Sequence, residues 1–193
     1  MKLFFLKPLY FTLICLLFLS CNSEPSLQTY YVDHQEASGF IAMDFPVSFL
    51  DIDINDITES EQKAINSIQK FNMLGYSLKS GSDIVYNAEL NFVKQLLKEV
   101  KYNELFRLGN SKDGRIKIYT VGEDHNMDEV VILLNSNQVG FAVIRVLGKD
   151  MNLSEIMQLG PLIEKLDLDY KNVDSFFNFM KPSALYKINS SIV

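Results

Sequence analysis

The residues most able to do chemistry are carboxylates, and their densest spacing is in residues 51–56, which read Asp-Ile-Asp-Ile-Asn-Asp. Oxygen ligands at alternate positions begin a calcium loop of the EF-hand type. Such a loop also needs glycine at position six and glutamate at position twelve, where this chain has Asp56 and Gln62. We interpret the segment as a solvated acidic edge before a helix, with calcium binding as the alternative.

A second acidic group, residues 123–129, joins two predicted strands and contains His125. A zinc site needs several nitrogen or sulfur ligands. Because His34 is the only other histidine, such a site would have to rely on carboxylates. We interpret the group as an exposed hairpin loop, and the sequence predicts no metal and no other cofactor.

Several motifs of nucleophilic and nucleotide chemistry are missing at the places considered. The chain has no G-x-S-x-G elbow, and residues 79–82, Lys-Ser-Gly-Ser, lack the S-x-x-K spacing. It has neither of the glycine-rich phosphate-binding motifs, G-x-x-x-x-G-K and G-x-G-x-x-G. Carboxylate pairs for glycoside hydrolysis stay open, because such pairs form in space and the chain has 24 acids. No catalytic residue is predicted.

Local signals place these residues on helices and strands. Residues 40–43 and 71–78 suit strands, and Pro46 suits the start of a short helical turn. Residues 58–61 form a capping box, so a helix should begin at Thr58 and carry apolar residues at helical spacing as far as Phe71. After the turn at residues 80–83, a longer helix carries one apolar stripe, formed by Val85, Ala88, Phe92, Val93, Leu96, Leu97 and Val100.

The second half of the chain has the period of strands. Residues 104–108, 116–121, 130–134 and 139–147 are separated by short turns, so they predict an antiparallel meander. Asn152 then caps another helix, which Pro161 should kink or break. The predicted fold is a single α+β domain, with a largely antiparallel sheet and helices packed on one face.

The first twenty residues have the pattern of an export signal. Lys2 and Lys7 precede an apolar core at residues 9–19, which is too short to span a bilayer. The core ends in Phe-Leu-Ser-Cys, which resembles the lipobox of bacterial lipoproteins. The resemblance implies cleavage between Ser20 and Cys21 and attachment of lipid to Cys21, with a plain secreted protein as the alternative.

Removal of this signal leaves an acidic chain with one cysteine. Two of the 18 basic residues leave and all 24 acids stay, so the net charge of the mature chain is −8. That charge argues against nucleic acid and against electrostatic docking on anionic lipid, since both need a basic surface. Cys15 is also lost, so no disulfide can form within the mature chain.

Most of the mature chain resembles a family of uncharacterised small lipoproteins of Bacteroidetes-type bacteria, domain of unknown function 4252. The features that resemble it are the lipobox, the helix from Val85, the strand ending near Leu108, and the sequence from GNSKDG at residues 109–114 to the NLSE cap at residues 152–155. The shared features are a strand, a turn with lysine and glycine, two further strands, and a glycine with an acidic turn before a helix. The resemblance implies a tethered domain in a Gram-negative envelope and transfers no catalytic residue. Asn22 favours the outer membrane by analogy, and the single acid Glu24 favours its periplasmic side.

The C-terminal stretch, residues 173–186, is rich in aromatic residues. Its rings either cover one side of the domain or bind a partner, and Phe176, Phe177 and Met180 are the candidate partner-binding residues. The predicted organisation is a signal peptide at residues 1–20, a lipidated tether at 21–28, the α+β domain at 29–170 and this tail at 171–193.

These observations predict a non-enzymatic envelope lipoprotein that is held on the membrane by lipid on Cys21 and binds a protein partner or a small ligand. The alternatives are an envelope hydrolase that uses carboxylates and a carrier of apolar ligands. A pocket with two facing acids would favour the hydrolase, and a large apolar cavity would favour the carrier.

Mass spectrometry of the N-terminal peptide from native envelopes should find Cys21 as the first residue, carrying acyl chains. The Cys21→Ala variant should lack that mass, because the alanine has no thiol to receive the lipid. An unmodified Cys21 in the wild-type protein would contradict the lipoprotein prediction.

Overall fold

The structure is a computed structural model that describes residues 24–49, 52, 57–110 and 114–159. Its centre is a six-stranded antiparallel sheet in the order β1-β2-β6-β5-β4-β3. The predicted meander forms β3 to β6, and β2 and β1 extend the sheet beyond β6. The strands are β1 (Phe40–Pro46), β2 (Ile68–Ser77), β3 (Tyr102–Asn110), β4 (Gly114–Glu123), β5 (Asn126–Ser136) and β6 (Gly140–Met151).

Four α-helices accompany the sheet in the described part of the chain, and together they confirm the predicted single-domain α+β class. A short 3-10 turn at Val47–Phe49 follows Pro46, as predicted. None of these helices is long and apolar enough to cross a membrane. The helices are α1 (Leu27–His34), α2 (Glu59–Ser67), α3 (Asp83–Leu96) and α4 (Leu153–Met157).

Side chains cap the start of each helix, where backbone N–H groups lack partners. The capping box at Thr58 is present: its hydroxyl accepts from the Glu61 N–H at 3.3 Å, and its own N–H donates to the Glu61 carboxylate at 2.7 Å. Asn152 caps α4, also as predicted. The signals that the sequence showed at Thr58 and Asn152 therefore do begin helices.

The end of α2 differs from the prediction. The helix stops at Ser67 and the chain enters β2 at Ile68, so the helical spacing as far as Phe71 was misleading. Ile68 lies opposite Gly148 of β6. A side chain at position 148 would begin 2.3 Å from the Ser67 carbonyl oxygen, so the junction needs glycine there. Pairing with β6, which is distant in sequence, sets this boundary.

The helices pack on both faces of the sheet, whereas one face was predicted. On the first face, α1 and α3 cover a cluster that includes Leu74, Phe141 and Val131. On the second face, α2 and α4 cover a cluster that includes Val130 and Val146. Neighbouring residues of a strand point to opposite faces, so Val130 and Val131 belong to different faces. The sheet is thus apolar on both sides.

The buried side of α3 also differs from the prediction. Tyr86, Leu90 and Val93 are buried against the first face, whereas Val85 and Phe92 are exposed. The helix carries apolar residues on two adjacent stripes, and hydropathy alone cannot show which stripe meets the sheet. Of the predicted stripe, Val93, Leu96 and Leu97 are buried.

A buried ion pair lies within the first face and joins it to α1. Arg145 of β6 and Glu129 of β5 are 7 % and 8 % exposed, and the guanidinium donates to the carboxylate at 2.5 Å. A second guanidinium nitrogen donates to the side-chain oxygen of Gln28 at 2.7 Å. Removing one partner of such a pair leaves an uncompensated buried charge.

The variant Glu129→Leu should therefore lose about 3–5 kcal/mol of unfolding free energy. Urea denaturation gives the value. The matched control is Glu59→Gln, which breaks the exposed pair of Glu59 with Lys63 and should leave the unfolding midpoint nearly unchanged. Equal midpoints for the two variants would show that the buried pair does not hold the sheet and α1 together.

Candidate functional site

Several residues singled out by the sequence lie outside the described residues. They include Ser20 and Cys21 at the cleavage site and Phe176, Phe177 and Met180 in the tail. Of the acidic segment 51–56, only Ile52 is described. The predicted roles of all these residues stay predictions.

The second acidic group forms the β4–β5 hairpin, but the predicted exposed loop over residues 123–129 is wrong for most of its length, because β4 ends at Glu123, β5 begins at Asn126, and Met127 and Glu129 are buried. The turn is at residues 124–125, and it contacts the start of α4: the Asp124 carbonyl accepts from the Leu153 N–H at 2.8 Å, and the His125 ring lies 3.3 Å from the Asn152 amide. Across the described ranges, no group of three or more His, Cys, Asp or Glu residues could hold a metal ion. The last acid of the group, Glu129, is the buried partner of Arg145.

His34 belongs to a small polar cluster between α1 and α3. Its Nε2 lies 3.3 Å from the Glu89 carboxylate, which also accepts from the Tyr30 hydroxyl at 2.9 Å. Burial, and then the contact with Glu89, raise the pKa of Tyr30 above its usual value. A hydroxyl held protonated is a poor nucleophile or base, so this cluster serves to join the two helices.

A cleft of about 510 Å³ opens on the first face, between the C-terminal part of α3 and the outer strands β3 and β4. It differs from the covered part of that face because most of the residues that line it are polar and three of them are lysines. The residues that line it are Asn91, Lys94, Gln95, Leu97, Lys98, Tyr102, Glu104, Lys117 and Tyr119.

A β-bulge in β3 shapes the sheet wall of this cleft. Glu104 lies opposite Tyr119, but Phe106 lies opposite Ile118, so Leu105 is an extra residue. In a regular strand, residues three apart point to opposite faces; the extra residue puts Glu104 and Arg107 on the same side. The Arg107 guanidinium can therefore donate to the Glu104 carboxylate from within the same strand, at 2.8 Å.

Among the described residues that line the cleft, Glu104 is the one carboxylate, and it already accepts two ion-pair hydrogen bonds. Lys117 donates to one of its oxygens at 2.7 Å, and Arg107 binds the other. These hydrogen bonds, first from Lys117 and then from Arg107, hold the pKa of Glu104 below its usual value. A general acid needs the opposite shift, and glycoside hydrolysis by carboxylates needs a second acid, so the described part of the cleft gives no support to carboxylate catalysis.

The lysines of α3 are in a different position. Neither Lys94 nor Lys98 forms an ion pair within the ranges that the structure describes. Partial burial of Lys94 lowers the pKa of its ammonium, and the charges of Arg115 and Lys117 lower it further. Positive charges are thus held near one another at a cost in free energy, and a bound anion would relieve that cost.

Sequence reasoning missed this cleft. Lys94 and Lys98 lie outside the apolar stripe that the sequence predicted for this helix, and no role was predicted for them or for Lys117. A usable signal was the alternation in β4, which places Arg115 and Lys117 on the same face. Only the bulge in β3, which no sequence pattern indicated, brings Arg107 to the face that Tyr102 and Glu104 share.

The second face carries a separate apolar surface, which we call the open face. Its cluster consists of strand residues alone, whereas helices contribute to both other clusters in the described chain. At the β3 edge of the same side, Phe106 and Leu108 are 41 % and 39 % exposed. The open face comprises Ile41, Met43, Phe45, Met73, Leu134, Ala142 and Ile144.

Replacing Lys117 with Gln should raise the pKa of Lys94 toward that of a solvated lysine. The change removes one of the charges that lower it and frees the negative charge of Glu104 inside the cleft. An NMR titration of carbon-labelled lysine measures the shift. Lys63→Gln, on the other side of the sheet, is the control and should leave Lys94 unchanged; the same result for Lys117→Gln would refute the electrostatic account.

The comparison with protein families gives one match. Residues 30–159 match the family described as Domain of unknown function (DUF4252). Neither a curated protein nor a solved structure matches the chain significantly. The matched region covers more than half of the chain and includes all six strands and the cleft. The chain therefore belongs to the DUF4252 family.

Proposed function

We propose that the protein is a non-enzymatic binding module of the bacterial envelope, held by lipid on Cys21, that binds an anionic ligand in the cleft beside α3. The tether rests on the lipobox-like sequence at residues 18–21, and the periplasmic side of the outer membrane is its proposed place. The ligand is a group with two or more negative charges, such as a phosphorylated or carboxylated envelope component.

The observation that carries the proposal is the charge of the cleft. Three lysines line it, against one carboxylate that already accepts from Lys117 and Arg107. This arrangement occurs in a protein that is acidic overall, with a net charge of −6. A local excess of positive charge attracts anions and raises their local concentration.

The shape and chemistry of the lining agree with ligand binding. The volume of about 510 Å³ is in the range of small-molecule sites. Asn91, Gln95 and the hydroxyls of Tyr102 and Tyr119 supply hydrogen-bonding groups that can orient an anion. Because the described lining holds no second carboxylate, binding without a reaction is the function that the geometry favours.

The carrier alternative gains no support from the described interior. Between the sheet and the helices of the first face, Val93, Val131, Leu133 and Phe141 are fully buried. A side chain with no exposed surface borders no space large enough for water, so the core is filled where it could have held an apolar ligand.

Calorimetric titration with tripolyphosphate tests the proposal, using the mature protein in phosphatidylcholine nanodiscs at low salt. A charged hydrogen bond contributes about 1.5–3 kcal/mol, so Lys94→Gln should weaken binding roughly 10-fold or more. Binding should also weaken as the pH rises and Lys94 loses its proton. Citrate in a parallel titration separates a preference for phosphate from one for carboxylate.

The control variant is again Lys63→Gln, which removes an equal charge from α2 on the other side of the sheet. It should bind as tightly as the wild type. No binding at all, or an equal loss in both variants, would show that the cleft is not an anion site. Breakdown of tripolyphosphate during the titration would instead favour an enzyme.

A further inference from the structure

No described helix packs on the open face, although Met73 and Ala142 are buried there and the other five residues are half-buried. The helices α2 and α4 cover only the neighbouring part of the same side. Ile144 of the open face and Val146 of the covered cluster are two residues apart on β6, so they share one surface. Continuous apolar patches beyond a few hundred Å² are rare on soluble proteins unless something binds them. No described helix residue belongs to the open-face cluster.

The chain continues from α4 on this same side. Leu159, just after α4, is 7 % exposed and packs in the cluster with Val130 and Val146. The sequence has 34 further residues, 160–193. Their starting point is thus already on the second face.

The length of this segment is sufficient to reach any part of the open face. The 16 residues between Leu159 and Phe176 can extend about 50 Å. Six strands at about 4.8 Å spacing are only about 25 Å wide. The segment is therefore long enough for its aromatic residues to contact β1 or β2.

The composition of the segment suits this contact. Residues 176–180 read Phe-Phe-Asn-Phe-Met, and aromatic side chains bury large apolar areas. Residues 160–193 contain four acids and four lysines, so the acidic domain does not repel them. Because the segment is covalently attached, its effective concentration at the open face is high, in the millimolar range for short flexible connections.

We propose that the C-terminal segment of the same chain covers the open face, with Phe176, Phe177, Phe179 and Met180 packed on β1, β2 and β6. The proposal selects the covering role for these rings over the partner-binding role. It is independent of the proposed function, because the cleft lies on the other face of the sheet. The segment is also outside the region that matches the family, which ends at residue 159.

Oxidation of the native methionines by hydrogen peroxide tests this, with the mature full-length protein in nanodiscs and peptide mass spectrometry as the readout. In the variant Phe176→Ser/Phe177→Ser/Met180→Ser, Met43 of the open face should oxidise several-fold faster than in the wild type. Exposed Met157 and fully buried Met127 should keep their rates. The matched control, Asn178→Ser, should behave as the wild type.

The same Met43 rate in the wild type and the triple variant would overturn the proposal. Protection of Met43 that disappears when the protein is diluted would also overturn it, because a second copy would then be the cover. Faster oxidation of Met127 would mean that the variant unfolds. A second measurement then tests whether the C-terminal segment lies on the open face.

That measurement is disulfide trapping between Met43→Cys and Phe177→Cys, compared with the pair Lys94→Cys and Phe177→Cys on the opposite face. A bond within one chain should form with position 43 and not with position 94. Equal yields at both positions, or no bond at either, would overturn the proposal.

Discussion

A sheet that is apolar on both faces must be covered on both, and this constraint determines the rest of the structure. It is clearest in β6, the strand between β2 and β5, where Phe141 and Val143 are buried on the first face and Val146 is buried on the second. Two layers of helix follow from it, with α1 and α3 on one face and α2 and α4 on the other. Burial of these surfaces is the main favourable term in folding.

Both candidate surfaces lie where this cover ends. On the first face, α3 leaves the outer strands β3 and β4 uncovered, and those strands carry charged residues on that side. On the second face, the strands beyond α2 and α4 stay apolar. Where the uncovered strands carry polar residues, they can form a site for a polar ligand. Where they carry apolar residues, another apolar surface has to pack against them.

The sequence predicted the features that depend on neighbouring residues. The capping residues Thr58 and Asn152 act within one turn, so their helices began where expected. The alternation of polar and apolar residues and the turns between them predicted the strands of the second half. The same pattern of strands and turns indicated the family. The features that were missed depend on residues distant in sequence. Ile68, which was predicted to be helical, pairs with β6, and Glu129, which was predicted to lie in an exposed loop, is buried against Arg145. The cleft needed three elements and a bulge, which periodicity does not reveal.

The start of α1 has a consequence for the anchored form that we propose. Leu27, the first residue of α1, is already buried against the sheet. Only residues 22–26 separate it from Cys21, and five residues extend about 17 Å. The strand β6, with 12 residues, is about 40 Å long. The tether is therefore shorter than the domain. In the anchored form the end of the domain near α1 would stay close to the bilayer, and the domain would present the same surfaces to the periplasm.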